Sequence, residues 1–227
     1  MAEAIGAVAG IIGLLQATSA SYTIISKIID RPKAFDIVGE HTELVLAILR
    51  RVLAQLAAQP SLGQTEQDHE EDIASEKILT SCKSKAEELK RIFDEINEKI
   101  KRDQSATSWA RVRAWYRHAV KGTKANRVET IMKEIFQGVQ QLGQLQLFKL
   151  ATQNDIGNIQ RAIEDLSLVE PSLPDAEFDN KHTINANQTV EPNAWGQQNI
   201  PSGGVNTFVS GKYNVTGESA TVNFGKD

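Results

Sequence analysis

The chain has 227 residues, with 25 lysines and arginines against 29 aspartates and glutamates, so the net charge is −4. This balance argues against a nucleic-acid-binding protein, which needs a basic surface. Hydrophobic residues make up 41% and charged residues 24%, which is typical of a soluble protein with one sizeable core. The composition changes near Pro171, because residues 171–227 hold four of the six prolines, six glycines and a single leucine. Two physically different regions are therefore predicted.

The cysteine content and the N-terminus indicate the compartment. Cys82 is the single cysteine, which excludes a disulfide framework and fits a reducing environment. A secretory signal would begin with basic residues, whereas the first base here is Lys27. We therefore expect a cytoplasmic protein.

The first predicted helix lies in an uncharged stretch of 23 residues, from Ala4 to Ser26. A helix of that length spans roughly 35 Å, close to the hydrocarbon thickness of a bilayer. Its second half is rich in serine and threonine, which argues against a permanent membrane span. Gly6 and Gly10 form a GxxxG pattern that permits close helix packing. Two interpretations remain open: a helix packed in a soluble bundle, or a helix that associates in a membrane once released.

Further helices are predicted from apolar residues at three-and-four spacing. Pro32 ends the first helix, and His41 lies on the apolar face of the second as a core histidine. Acidic residues 66–72 are predicted to form a loop, and Asn154 or Asp155 to cap the last helix. The remaining helices are predicted over 35–56, 78–100, 109–121, 128–151 and 156–166. The predicted fold class is all-α, a helical bundle of five to six helices over residues 1–168, followed by a disordered tail able to form cross-β.

The fourth predicted helix lies in the sharpest charge feature of the chain. Residues 109–127 hold six bases and no acid, with aromatic residues among them. The aromatics could pack inward beneath a solvated basic face, or the segment could contact anionic lipid or another anionic partner. The residues predicted to meet lipid headgroups are Trp109, Arg111, Arg113, Trp115, Arg117 and Lys121.

The tail is predicted to contain a linker, 169–192, and a β-forming segment, 193–227. Apolar and aromatic residues alternate over 205–215 and again over 220–224, with Gly217 between them. Two short strands cannot fold alone, so we expect disorder in the monomer and cross-β stacking between copies. A merely disordered polar tail is the other interpretation. The predicted amyloid strand residues are Val205, Phe208, Val209, Tyr213, Val215, Val222 and Phe224.

Sequence motifs for catalysis are absent. The four histidines are far apart, and no HExxH or CxxC motif occurs. The segment 204–212 fails as a phosphate loop, because the motif needs glycine where Asn206 stands and serine or threonine where Tyr213 stands. We therefore expect no enzyme, and predict no catalytic residue, cofactor or metal site.

Two parts of the sequence resemble fungal signalling proteins. The glycine-dotted segment 1–14, with the helix 35–56, resembles the SesA or HeLo-like N-terminal domain of fungal NACHT and other STAND receptors, over roughly 1–165. The segment 193–227 is similar to the C-terminal amyloid signalling motif of fungal death effectors such as the HET-S group. The chain ends without a nucleotide-binding domain, which suggests a stand-alone effector.

The resemblance implies a prion-like cell-death effector in heterokaryon incompatibility or fungal innate immunity. An NLR-like receptor with a matching motif would template the tail, self-association would cluster the bundles, and the N-terminal helix would then enter the plasma membrane. The residues that this role would assign to membrane insertion are Ile5, Gly6, Val8, Gly10, Ile11, Ile12, Leu14 and Leu15. No nucleic-acid partner is expected. The alternative function is a soluble helical adaptor that binds a partner protein and has no membrane activity.

Overall fold

A computed structural model describes residues 2–58, 66–145, 148–149, 152–178, 197–202 and 205–210. Two compact units divide the chain, one over residues 1–179 and the other over 180–227. Among the described residues, the first unit is helical and the second contains two strands. The predicted helical bundle is confirmed.

Six α-helices lie in the described part of the first unit, the upper end of the predicted range. They are α1 (Ala2–Ile25), α2 (Lys33–Ala58), α3 (Glu66–Arg102), α4 (Trp109–Ala119), α5 (Val128–Leu142) and α6 (Ile156–Leu168). Short 3-10 turns lie at Lys124–Asn126, Gln153–Asp155 and Asp175–Glu177.

Two helix boundaries differ from the prediction for physical reasons. The acidic residues 66–72 are not a loop, because α3 begins at Glu66 and includes them. Acidic side chains are favourable in the first turns of a helix, where they complement the positive end of its dipole. In contrast, α5 ends at Leu142, before Gly143, and does not continue to Ala151.

Helix α1 packs against α3 and α2, which together bury one side of it. Helices α1 and α3 run in the same direction, since Ala4 and Ile73 line one cleft near their starts and Ser21 bonds Asp94 towards their ends. Rings at the centre of the bundle join the other helices to this pair. The largest fully buried side chains include Tyr116, Phe35, Phe93, Phe136 and Phe148.

Helices α3 and α5 approach closely at Gly138. A Cβ atom added at Gly138 would collide with the Sγ atom of Cys82, so only glycine fits this crossing without a shift. Burial raises the pKa of the Cys82 thiol to about 11. Cys82 is therefore a packing residue of the core and a poor nucleophile.

The start of α4 is fixed by backbone pairing with the loop after α1. Ile29 donates its amide to the carbonyl of Thr107 at 2.8 Å and accepts from the amide of Trp109 at 2.8 Å. Asp30, the next residue, has a positive φ of 58°. This pairing holds the basic helix α4 beside the C-terminal end of α1.

The second unit contains an antiparallel pair of strands, β1 (Gln197–Ser202) and β2 (Val205–Ser210). In their register Gln197 lies opposite Ser210 and Ser202 opposite Val205. Strand β2 covers residues 205–210 of the predicted strand at 205–215, and residues 211–215 lie outside the described part of the chain. Its partner β1 was not predicted, because it contains Pro201 and lacks alternating apolar residues. Tyr213, Val215, Val222 and Phe224 lie outside the described residues.

Candidate functional site

The first candidate surface is the outward face of α1. Val8, Ile11 and Leu15 are fully buried on the inward face. Gly6 and Gly10 are exposed, and a Cβ atom built on either would meet nothing within 4 Å. The GxxxG pattern therefore lies on an open surface and does not mediate packing within the bundle.

The residues predicted to enter a membrane divide between the two faces of α1. Four are buried, two are half-buried and the two glycines are exposed. In that order they are Val8, Ile11, Ile12 and Leu15, then Ile5 and Leu14, then Gly6 and Gly10. Contact between the buried side chains and lipid requires α1 to leave the bundle.

Polar side chains hold the second half of α1 in place. The Ser21 hydroxyl donates to Asp94 at 2.7 Å, and the Asn97 side-chain amide donates to the Ser21 carbonyl at 2.8 Å. The Ser19 hydroxyl donates to Glu43 at 2.6 Å. These bonds explain why the serine-rich half of an otherwise apolar helix suits a soluble bundle.

The first half of α1 borders a cleft. This cleft, of about 210 Å³, lies between α1 and α3 and is lined by Glu3, Ala4 and Ala7 from α1 and by Ile73 and Glu76 among others from α3. Ile73 is 43% exposed there. The apolar half of α1 is therefore packed less completely at its start than at its middle.

By length and composition, the residues Glu3–Ile25 could cross a membrane, and no other helix in the described part of the chain meets the same test. Buried helices of soluble proteins share these properties. The feature that sets α1 apart is its uncovered glycine face.

The second candidate surface is the basic helix α4. Val112, Tyr116 and Ala119 are fully buried, whereas Trp109 and Trp115 are half-buried against the core. The rings of Trp109 and Tyr116 lie 5.2 and 5.0 Å from that of Phe35, at steep angles. The aromatic residues of this helix therefore pack inward in the bundle, as the first of the interpretations above expects.

The arginines of α4 form ion pairs at the surface. Arg111 lies 3.1 Å from Asp103, whose pKa is held low by the Ser105 hydroxyl and by Arg111. Arg113 and Arg117 both face Glu177, with Arg117 at 3.5 Å from it. Arg113 and Arg117 thus share one acidic partner, whereas Arg111 has another. The two tryptophans, also predicted to meet headgroups, pack against the core and are not brought together with the arginines. Lys121 follows α4 and is exposed.

Residues 172–178, the acidic strap, pack against this basic surface. Leu173 is fully buried, and the Ser172 and Tyr116 hydroxyls share a hydrogen bond of 2.5 Å. The backbone amide of Ser172 donates to Glu129 at 3.0 Å. Part of the predicted linker 169–192 therefore belongs to the bundle, because Leu173 has a core position to fill.

The second half of the acidic strap adds charge contacts. Asp175 lies 2.5 Å from Arg127 and 2.8 Å from Lys124, and these two bases lower the pKa of its carboxyl. The Arg127 guanidinium lies 4.8 Å from the centre of the Phe178 ring, a cation–π arrangement. Sequence reasoning missed the acidic strap. The available signal was a lone leucine followed by acids in a chain whose basic segment lacks acids.

A family model decides the relationship of this chain to known proteins. The SesA model, an N-terminal domain on NACHT NTPases and P-loop NTPases, matches residues 8–142, more than half of the chain. This chain belongs to the SesA family. No curated protein and no solved structure matched it.

The SesA span runs from within α1 to the end of α5. Membership supports a signalling N-terminal domain associated with NACHT proteins, and it fits an NLR-like partner. The match ends before α6, the acidic strap and the tail. The matched span thus includes α1 from Val8 onward and the whole of the basic helix α4.

The described residues of this SesA chain contain no group of three or more histidine, cysteine, aspartate or glutamate side chains that could hold a metal ion. His41 lies at the core, edge-on to Phe136 and 3.4 Å from Asp165, and burial lowers its pKa. Asp155, predicted as a helix cap, instead binds the Arg51 guanidinium at 2.6 and 3.1 Å. These charged groups connect helices.

Proposed function

We propose that this SesA-family chain is a cell-death effector without enzymatic activity. An NLR-like receptor templates the tail into a cross-β assembly, the assembly clusters the bundles, and α1 leaves its bundle and enters the plasma membrane. The chain is cytoplasmic before activation. The fungal incompatibility and immunity setting comes from the family resemblance.

One observation carries the proposal. Helix α1 is long enough to span a bilayer, and its GxxxG face is open to solvent. In a membrane, small residues at this spacing let helices approach closely and associate. A helix that served only within the bundle would be more stable with alanine at these exposed positions, because glycine lowers helix stability.

Vesicle leakage tests the effector function directly. The full chain, clustered by assembly of its tail, is expected to release dye from vesicles that contain phosphatidylserine, whereas unassembled protein should leave them intact. Persistent integrity of the vesicles in the presence of assembled protein would contradict the effector function.

The alternative function is a soluble adaptor. The burial of Val8, Ile11 and Leu15 favours it, because these side chains already have a place in the bundle. An adaptor would bind a NACHT-family partner and leave vesicles intact under every condition. Leakage therefore separates the two functions.

Replacing Val209 with proline is expected to abolish tail assembly in the full chain. Val209 lies in β2 opposite Gln198, and proline there removes a backbone donor from the ladder. Thioflavin fluorescence should fall to the buffer level, and the fibre reflections near 4.7 and 10 Å should disappear.

Val209→Thr is the matched control, because threonine keeps a β-branched side chain and the backbone donor. It should assemble like the unchanged chain. Normal fibres from the proline variant would refute the assignment of this strand to the assembly. The Val215→Pro variant extends the test to a predicted strand residue outside the described part of the chain.

A further inference from the structure

Four bases of α4 and the segment after it form a cationic face that the acidic strap covers in part. Arg113 and Arg117 meet Glu177, while Lys124 and Arg127 meet Asp175. Two carboxylates thus form ion pairs with four bases. Residues 109–127 contain no acid of their own, and the acidic strap supplies the anions that these four bases pair with in the bundle. Arg111 is not part of this face, because it pairs with Asp103.

The contacts of the acidic strap differ in kind along its length. Its first part is anchored by the buried Leu173 and by the Ser172 bonds to Tyr116 and Glu129. In its charged part, the side chain of Asp175 is 63% exposed and that of Glu177 is 17% exposed. Exposed ion pairs contribute little stability, because water and salt screen them.

The bases have geometry suited to phosphate. Three of the four are arginines, whose planar guanidinium groups bind phosphate through paired hydrogen bonds. The side chain of Arg127 is 9% exposed, and its Nε atom has no hydrogen-bond partner within the described residues. A buried N–H group without a partner can donate a hydrogen bond to an anion that reaches deeper than the Asp175 carboxylate does. If Asp175 and Glu177 are displaced, Glu129 is the acid that remains beside this face, so the four bases are still in excess.

We propose that the acidic strap masks a phosphate-binding face, and that the headgroups of anionic lipids replace Asp175 and Glu177 on it. This inference rests on the proposed membrane function. A lipid surface fits better than a nucleic acid, because the cationic face is short and the whole chain is acidic.

Two charge-matched variants of the full chain test the mask. Asp175→Asn with Glu177→Gln removes the carboxylates of the acidic strap, whereas Glu164→Gln with Glu170→Gln removes two exposed carboxylates elsewhere. Cosedimentation with vesicles of phosphatidylcholine and phosphatidylserine should give an apparent Kd about tenfold lower for the strap variant. The control should shift less than about twofold, and vesicles of phosphatidylcholine alone should bind neither.

Several results would overturn the mask. An equal shift in both variants would mean a general effect of net charge, and no shift would mean that the acidic strap does not compete with lipid. Adding Arg113→Glu and Arg117→Glu to the strap variant should remove the gain, and retention of the gain would place the lipid contact elsewhere. Complete competition by inorganic phosphate at low concentration would assign the face to a free anion instead of a lipid.

Leakage is scored separately from binding in the same samples. Tighter binding by the strap variant without leakage from assembled protein would contradict the effector function and support the mask. Leakage with identical binding by all variants would support the effector function and refute the mask.

Discussion

Replacing Phe35 with alanine is expected to lower the free energy of unfolding by about 4 kcal/mol, the largest effect on stability predicted for this chain. The Phe35 ring is fully buried and lies 6.0 Å from Phe93, 5.2 Å from Trp109 and 5.0 Å from Tyr116. It therefore joins α2 to α3 and α4 at once. Truncation leaves a cavity among three rings and removes aromatic pairing in addition to buried area.

Urea denaturation followed by tryptophan fluorescence measures this effect, since Trp109 belongs to the same cluster. Leu168→Ala is the control, because Leu168 is 77% exposed at the end of α6 and should cost less than about 0.5 kcal/mol. A loss at Phe35 no larger than the loss at Leu168 would contradict the packing described around this ring.

The amphipathic helices could be predicted from sequence because their buried residues recur with the period of the helix. Apolar residues at three-and-four spacing over 35–56 and 78–100 lie within α2 and α3, with Val45, Leu49, Leu89 and Ile96 buried. The start of α3 was wrong for a related reason. An exposed, acidic first turn and an acidic loop have the same composition, and only tertiary structure separates them.

The orientation of α1 could not be predicted, since its first half is apolar or glycine on every side. Periodicity identifies a buried face only where polar residues mark the opposite face. The structure places Gly6 and Gly10 outward and Val8 inward, which depends on the shapes of α2 and α3. The sequence therefore left core packing and membrane association equally open.

The acidic strap was missed because its partners are remote in sequence. Ser172 and Tyr116, which share a hydrogen bond, are 56 positions apart. Two prolines around Leu173 indicate a linker by every local rule. Asp155 shows the same limitation, because its carboxylate binds Arg51, 104 positions away, in place of the nearby helix amides. Local composition predicts conformation, whereas these contacts depend on which helices become neighbours.

Replacing both Gly6 and Gly10 with leucine is expected to lower the rate of dye leakage at least about tenfold without destabilising the bundle. Both glycines are exposed and a Cβ atom at either meets nothing within 4 Å, so we expect the outward surface to accommodate leucine. Leucine is also a better helix former than glycine by about 0.5–1 kcal/mol per position. In a membrane the same side chains would hold neighbouring helices apart and remove the close approach that the GxxxG pattern provides.

Thermal unfolding and dye release on the same preparations separate the two effects. Gly157→Leu is the matched control, because Gly157 on α6 also faces open space within a helix. The control should leave leakage close to that of the unchanged chain and keep or raise Tm, and all variants should assemble through the tail. Undiminished leakage from the Gly6 and Gly10 variant would exclude the α1 glycine face from the mechanism. A lowered Tm of that variant would contradict the open space described beside the two glycines. Loss of leakage with a retained or raised Tm would mean that these two glycines act in a state outside the resting bundle, since the bundle itself gains nothing from them.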